Sequence, residues 1–169
     1  QWFHFRLLDA AHKPVRMVFE NAAQAAYPDG WPGYRCVASY DRQHWFRVAT
    51  TRYEGGQLIV EHTPERNSVY YAYCEPYSHE RHLDLLARAE ASSFADVRNL
   101  GATVDGRDLD VVVVGEPAPT RKPIWIIARQ HPGETMAEWF VEGLLERLLD
   151  GADAVARKVR EQAVFYIVP

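Results

Sequence analysis

The chain has 169 residues and a formal net charge of −4 with its histidines neutral. That length holds one domain or two small ones, and 47 % hydrophobic with 25 % charged residues is the balance of a folded chain, not a disordered one. The mild acidity, with no block of Lys or Arg, excludes nucleic acid and an anionic membrane surface as natural partners. Apolar runs such as Val111 to Val114 and Ile124 to Ala128 are far too short for a helical membrane span.

Up to about residue 75 the pattern is one of short strands. Phe3, Phe5 and Leu7 alternate with His4 and Arg6, the period of a half-buried strand. Further strands are expected at Val15 to Phe19, Tyr34 to Tyr40 and Trp45 to Ala49. Gly55-Gly56 reads as a hairpin turn between Thr51 to Tyr53 and Leu58 to His62, and Val69 to Cys74 closes the group. This spacing, with no helical pattern between the strands, predicts a small antiparallel β-sandwich over residues 1–75. Its aromatic residues, Trp2, Trp31 and Trp45 among them, are assigned to packing. Cys36 and Cys74 are too few for a disulfide framework. They read as buried thiols of a reducing compartment, with one disulfide between them as the alternative.

Ser78 is placed to cap a helix through Leu83, Leu85, Leu86 and Ala89, so residues 76–96 are expected to hold a connecting helix. Its His79-x-x-His82 pair is read as a solvated helix face. Residues 97–169 then change character. Val97 to Val104 and Leu109 to Val114 flank Asp105-Gly106, a hairpin signal. The unbroken Val111-Val-Val-Val114 run suits a strand buried on both faces, as in the central sheet of an α/β protein. Asp108 and Asp110 are read as solvated edge carboxylates. After a second apolar strand, Ile124 to Arg129, comes an amphipathic helix whose stripe is read as Met136, Phe140, Leu144 and Leu148 with Val141, Leu145 and Leu149 beside them, stopped at Gly151. A short helix at Val155 to Glu161 and a strand at Val164 to Val168 complete a strand-helix-strand order.

The chemistry concentrates at His131-Pro-Gly-Glu134, between the second apolar strand and the helix after it. In open α/β sheets ligands bind beyond the carboxyl ends of the strands, which is where this tetrapeptide falls. Pro132-Gly133 makes a tight turn, so an imidazole and a carboxylate three residues apart can converge on one cation, and both are standard Zn²⁺ ligands. The alternative is a Glu134 that only favours the positive end of the helix and a His131 that only closes the loop. His4, His12, His44 and His62 stand alone and are read as structural or surface imidazoles.

The stretch from Lys122 to Leu145, with Ala128-Arg-Gln-His-Pro-Gly-Glu-Thr135 at its centre, resembles the zinc-binding segment of the M14 metallocarboxypeptidases, and within them the cytosolic carboxypeptidase subfamily. Trp2-Phe-His-Phe-Arg6, Trp45-Phe-Arg47, Tyr71-Ala-Tyr-Cys-Glu-Pro-Tyr-Ser78 and Leu100-Gly101 resemble, in order, the landmarks of that subfamily's N-terminal β-sandwich and first peptidase strands. The resemblance implies an α/β fold preceded by an all-β domain, in which the sandwich leads into the start of an α/β/α mixed sheet. It implies zinc as cofactor, His131 and Glu134 as two of three metal ligands, and a cytoplasmic metallocarboxypeptidase whose substrate is a peptide or protein C-terminus. Acidic leaving residues, notably glutamate, are the preference it suggests. The third ligand, the general base and the groups that clamp the substrate's terminal carboxylate have no matching positions here and are expected beyond Pro169. The chain on its own is accordingly expected to be inactive, and both of its ends read as cut from a longer protein. Two rival readings stay open: a zinc amidohydrolase of the aspartoacylase or succinylglutamate desuccinylase type, and a non-catalytic interaction module with a degenerate peptidase part.

Overall fold

A computed structural model describes residues 1–169, which divide into two compact units, Gln1–Pro76 and Tyr77–Pro169. The first unit is all β. Its strands are β1 (His4–Leu8), β2 (Val15–Phe19), β3 (Val37–Ser39), β4 (Trp45–Arg47), β5 (Thr51–Glu54), β6 (Gln57–His62) and β7 (Ser68–Ala72). They form two antiparallel sheets, one in the order β1-β7-β3-β4 and the other β2-β6-β5. Alternate inward residues, Ala38, Val60, Val69 and Tyr71, meet in a core with Cys36 and Val48. The β5–β6 turn uses Gly55 and Gly56, both with positive φ (56° and 80°), as the hairpin reading requires.

β3 is shorter than its sequence suggests. Tyr34 is drawn into a turn, its N–H donating to the Trp31 carbonyl, and the Cys36 N–H donates to the Thr51 hydroxyl instead of a ladder partner. Pairing therefore starts only at Val37. Cys36 and Cys74 are both free thiols.

The second unit comprises α1 (His79–Glu90), β8 (Ala95–Ala102), β9 (Asp108–Val114), β10 (Lys122–Ile127), α2 (Thr135–Leu148), α3 (Ala154–Gln162) and β11 (Ala163–Val168). Its sheet is mixed, in the order β10-β11-β9-β8, with β10 and β11 parallel and the other pairs antiparallel. The parallel pair requires a crossover, which α2 and α3 supply. The Val111 to Val114 run is buried throughout. Val112 and Val114 pack with Leu85, Leu86, Val141, Leu145 and Ile167, while Val111 and Val113 belong to a second cluster with Val164. β10 ends the strand order of this chain, and Trp125 and Ile127 are exposed despite their apolar character. No helix is long and apolar enough to cross a membrane.

Three local readings are corrected. The helix expected as a connector over 76–96 spans only His79–Glu90, and Leu85, Leu86 and Ala89 are part of the second unit's core. Ser78 does cap it, its hydroxyl accepting the Arg81 N–H at 3.2 Å. His82 is not solvated, because its Nδ1 lies 3.1 Å from the buried Glu138 carboxylate. The buried face of α2 is also rotated from the apolar stripe. Thr135, Glu138, Val141, Glu142, Leu145 and Leu148 face inward, while Met136 and Phe140 are exposed. Two glutamates can occupy that face because each pairs with an arginine, Glu142 with Arg81 and Glu138 with Arg129.

Candidate metal centre

β10 carries the chain to the site. Beyond Ile127, the Ala128 N–H still donates to the Val168 carbonyl at 2.9 Å, so the pairing with β11 runs to the edge of the turn. Arg129 then takes a left-handed conformation, φ 37°, which re-aims the backbone between strand and helix. The His131-Pro-Gly-Glu134 turn closes through a single backbone bond, Glu134 N–H to the His131 carbonyl at 3.0 Å. α2 begins at the next residue.

This turn brings together the two side chains expected to meet. His131 Nδ1 lies 2.8 Å from Glu134 Oε1, and the His131 N–H reaches Glu134 Oε2 at 3.3 Å. Both side chains open to solvent, 75 % and 47 % exposed. The hydrogen bond from the His131 ring, aided by the His131 amide, holds the Glu134 carboxyl below its ordinary pKa, so the pair presents a carboxylate at neutral pH. No group of three or more His, Cys, Asp or Glu side chains in the chain is arranged to hold a metal ion. The geometry therefore supplies two converging donors, one nitrogen and one oxygen.

Below the turn lies a polar network that sequence reasoning missed. The Arg129 guanidinium spans the turn, with Nε and Nη2 donating to the Pro132 carbonyl at 3.3 and 3.2 Å. Nη1 donates to the Tyr77 carbonyl at 3.0 Å and pairs with the Glu138 carboxylate. One helical turn further on, Glu142 accepts from the Tyr77 hydroxyl at 2.6 Å and from both Nε and Nη2 of Arg81 at 2.8 and 2.6 Å. The Arg81 guanidinium also lies 4.1 Å from the Trp139 ring centre. The available signal was the Glu138, Glu142 spacing of four, which places both carboxylates on one helix face beside Val141 and Leu145.

Comparison with known proteins agrees with this layout. Residues 1–74 match the family model of the cytosolic carboxypeptidase N-terminal domain, and residues 79–169 match that of the zinc carboxypeptidases. An uncharacterised protein of Zymomonas mobilis is 47 % identical over the whole chain, which covers 43 % of that protein. Among solved structures, a metallo-carboxypeptidase from Burkholderia cenocepacia is similar over 100 % of this chain and 46 % of its own, at 50 % identity and a TM-score of 0.94. A metallo-carboxypeptidase from Pseudomonas aeruginosa, in complex with (2-guanidinoethylmercapto)succinic acid, is similar over 100 % of this chain and 45 % of its own, at 42 % identity and a TM-score of 0.90. The chain thus spans less than half the length of each of these three proteins. The turn at His131 and Glu134 lies within the part matched by the peptidase model, and on that match the chain belongs to the M14 zinc carboxypeptidase family, preceded by the N-terminal domain of its cytosolic members.

Proposed function

We propose that this chain forms part of a zinc metallocarboxypeptidase that hydrolyses the C-terminal peptide bond of peptides or proteins, and that His131 and Glu134 are two of its three metal ligands. The observation that carries the reading is the 2.8 Å approach of His131 Nδ1 to Glu134 Oε1 at the β10–α2 junction. An imidazole nitrogen and a carboxylate oxygen are the donors of His₂Glu catalytic zinc sites. Both side chains are open to solvent, so His131 and Glu134 would together hold the ion as one nitrogen and one oxygen donor. Bound there, zinc would acidify a water and polarise a carbonyl.

The chain's own contribution is to hold those two donors on one turn. The ionised Glu134 supplies negative charge, and its hydrogen bond with His131 holds the imidazole ring and the carboxylate side by side on one turn. No third ligand, general base or substrate clamp is assigned to any of these residues, and the proposal for the chain by itself is that it lacks hydrolytic activity. A preference for acidic leaving residues, glutamate among them, and a cytoplasmic location are proposed on the same family membership. The match of residues 1–74 to the cytosolic carboxypeptidase N-terminal domain favours a peptidase over a zinc amidohydrolase.

The test is made on the intact protein. About one zinc per chain is expected by elemental analysis, with release of C-terminal amino acids that stops on chelation. His131→Ala abolishes both. Activity surviving that change would overturn the assignment.

A further inference from the structure

We infer that Arg129 is a positioning residue for the metal turn, holding the Pro132 carbonyl so that His131 and Glu134 face one ion together. This inference rests on the reading of those two residues as zinc ligands. The turn has one backbone–backbone bond, from the Glu134 N–H to the His131 carbonyl, and its other internal ties, from the His131 N–H and ring to the Glu134 carboxylate, use the two donor groups themselves. Pro132 has no N–H to donate and Gly133 adds conformational freedom. When the His131 ring and the Glu134 carboxylate are given over to an ion, the intervening peptide needs a hold from outside the turn.

Arg129 meets that need by geometry. Two of its nitrogens converge on the Pro132 carbonyl, the group midway between the ligands. The third points the other way, into the body of the unit, where the Tyr77 carbonyl and the Glu138 carboxylate receive it. Glu138 is 3 % exposed and is held from α1 as well, by His82 at 3.1 Å. A guanidinium anchored at one end by a buried carboxylate thus grips the flexible turn with the other. Only a planar fork of N–H groups can do both, since an ammonium offers a point charge without fixed directions. The left-handed φ of Arg129 fits the same role. A non-glycine residue at φ 37° is strained, and the surroundings must over-determine such a conformation for it to persist.

A purely structural ion pair would make the same contact with Glu138, so the test separates the two. In the intact protein, Arg129→Lys keeps a positive charge near Glu138 but removes the fork. The double change Arg129→Met with Glu138→Gln removes both charges and leaves no buried carboxylate without its partner. For both variants we expect metal-free melting close to that of the wild type. Zinc affinity, measured by competition with a chromophoric chelator, is expected to fall about 10- to 100-fold, the range seen when groups supporting metal ligands are lost. In the zinc-saturated enzyme kcat falls while KM changes little. If zinc affinity in the double variant returns to the wild-type value along with its stability, Arg129 is only a structural brace and the inference is wrong. His131→Ala serves as the control on the underlying reading. If it binds zinc as tightly as the wild type, the ligand assignment fails; if it loses zinc while both Arg129 variants keep wild-type affinity, only the positioning role fails.

Discussion

Replacing Glu142 by Gln should destabilise the second unit at neutral pH and leave it nearly unaffected in acid. Glu142 is 6 % exposed and accepts one hydrogen bond from Tyr77 and two from Arg81, with Arg88 a further 3.3 Å contact. A glutamine keeps the shape but has only one oxygen to offer, and its amide group would face a guanidinium donor. A hydrogen bond to a charged partner contributes about 1.5–3 kcal/mol. Arg81 is 42 % exposed, so water screens part of the Coulombic attraction, and about 2 kcal/mol is expected for the substitution.

The pH dependence follows from the direction of the carboxyl's shift. Burial alone pushes the Glu142 pKa up, but the hydrogen bonds from Arg81 and Tyr77, with the charges of Arg81 and Arg88, outweigh it and leave the folded value below the ordinary one. The unfolded chain therefore takes up this proton first as the pH falls. The stability that Glu142 contributes is complete above its unfolded pKa of about 4.3 and is lost as the pH drops through the lower folded value. Urea unfolding followed by circular dichroism, with hydrogen exchange of the α2 amides as a local readout, should show a gap between wild type and Glu142→Gln that is full at neutral pH and closes in that acid window. A gap of the same size throughout, or none at neutral pH, would refute the reasoning.

Two further outcomes are expected. Leu145→Ala removes a side chain only 1 % exposed from the core shared with Val112, Val141 and Ile167, so it should lower unfolding free energy by about 3 kcal/mol with an unchanged urea slope. Chemical denaturation checks this, and a loss under about 1 kcal/mol would mean that the α2 packing is misassigned. Burial, ahead of its other surroundings, pushes the Cys36 thiol up to about 12. Its thiolate is then scarce at pH 8, and Cys36 should resist alkylation in the native protein while reacting fully in denaturant, with fast native labelling the contrary result.

Local signals carried much of this fold. The Gly55-Gly56 hairpin, the Ser78 cap and the four-valine strand each depend on residues close in sequence, and each is found where its chemistry places it. The convergence of His131 and Glu134 was legible for the same reason, since a four-residue turn decides it. The face of α2 was not. Hydropathy ranks Met136 and Phe140 above Glu138 and Glu142, and only the partners brought by α1 and Arg129 reverse that order. Arg129 itself stood within the motif without a visible role, because its acceptors lie up to 52 residues away in the chain.

The two buried glutamates of α2 solve different problems, although they sit one helical turn apart. A buried ion pair adds little net stability over well-packed apolar residues of the same size, because desolvation consumes most of the attraction. A leucine at either position would seal α2 against α1 at least as well. Glu142 draws its partners from Tyr77 and from Arg81 and Arg88 of α1, so its specific effect is to set how α1 and α2 align. Glu138 is shared between His82 of α1 and Arg129, the residue whose other donors grip the metal turn. An apolar residue there would leave Arg129 with the Tyr77 carbonyl as its only anchor in the body of the unit, and its grip on the Pro132 carbonyl would loosen while the helix stayed packed. The charge at position 138 is thus accounted for by the turn it steadies more than by the core it occupies.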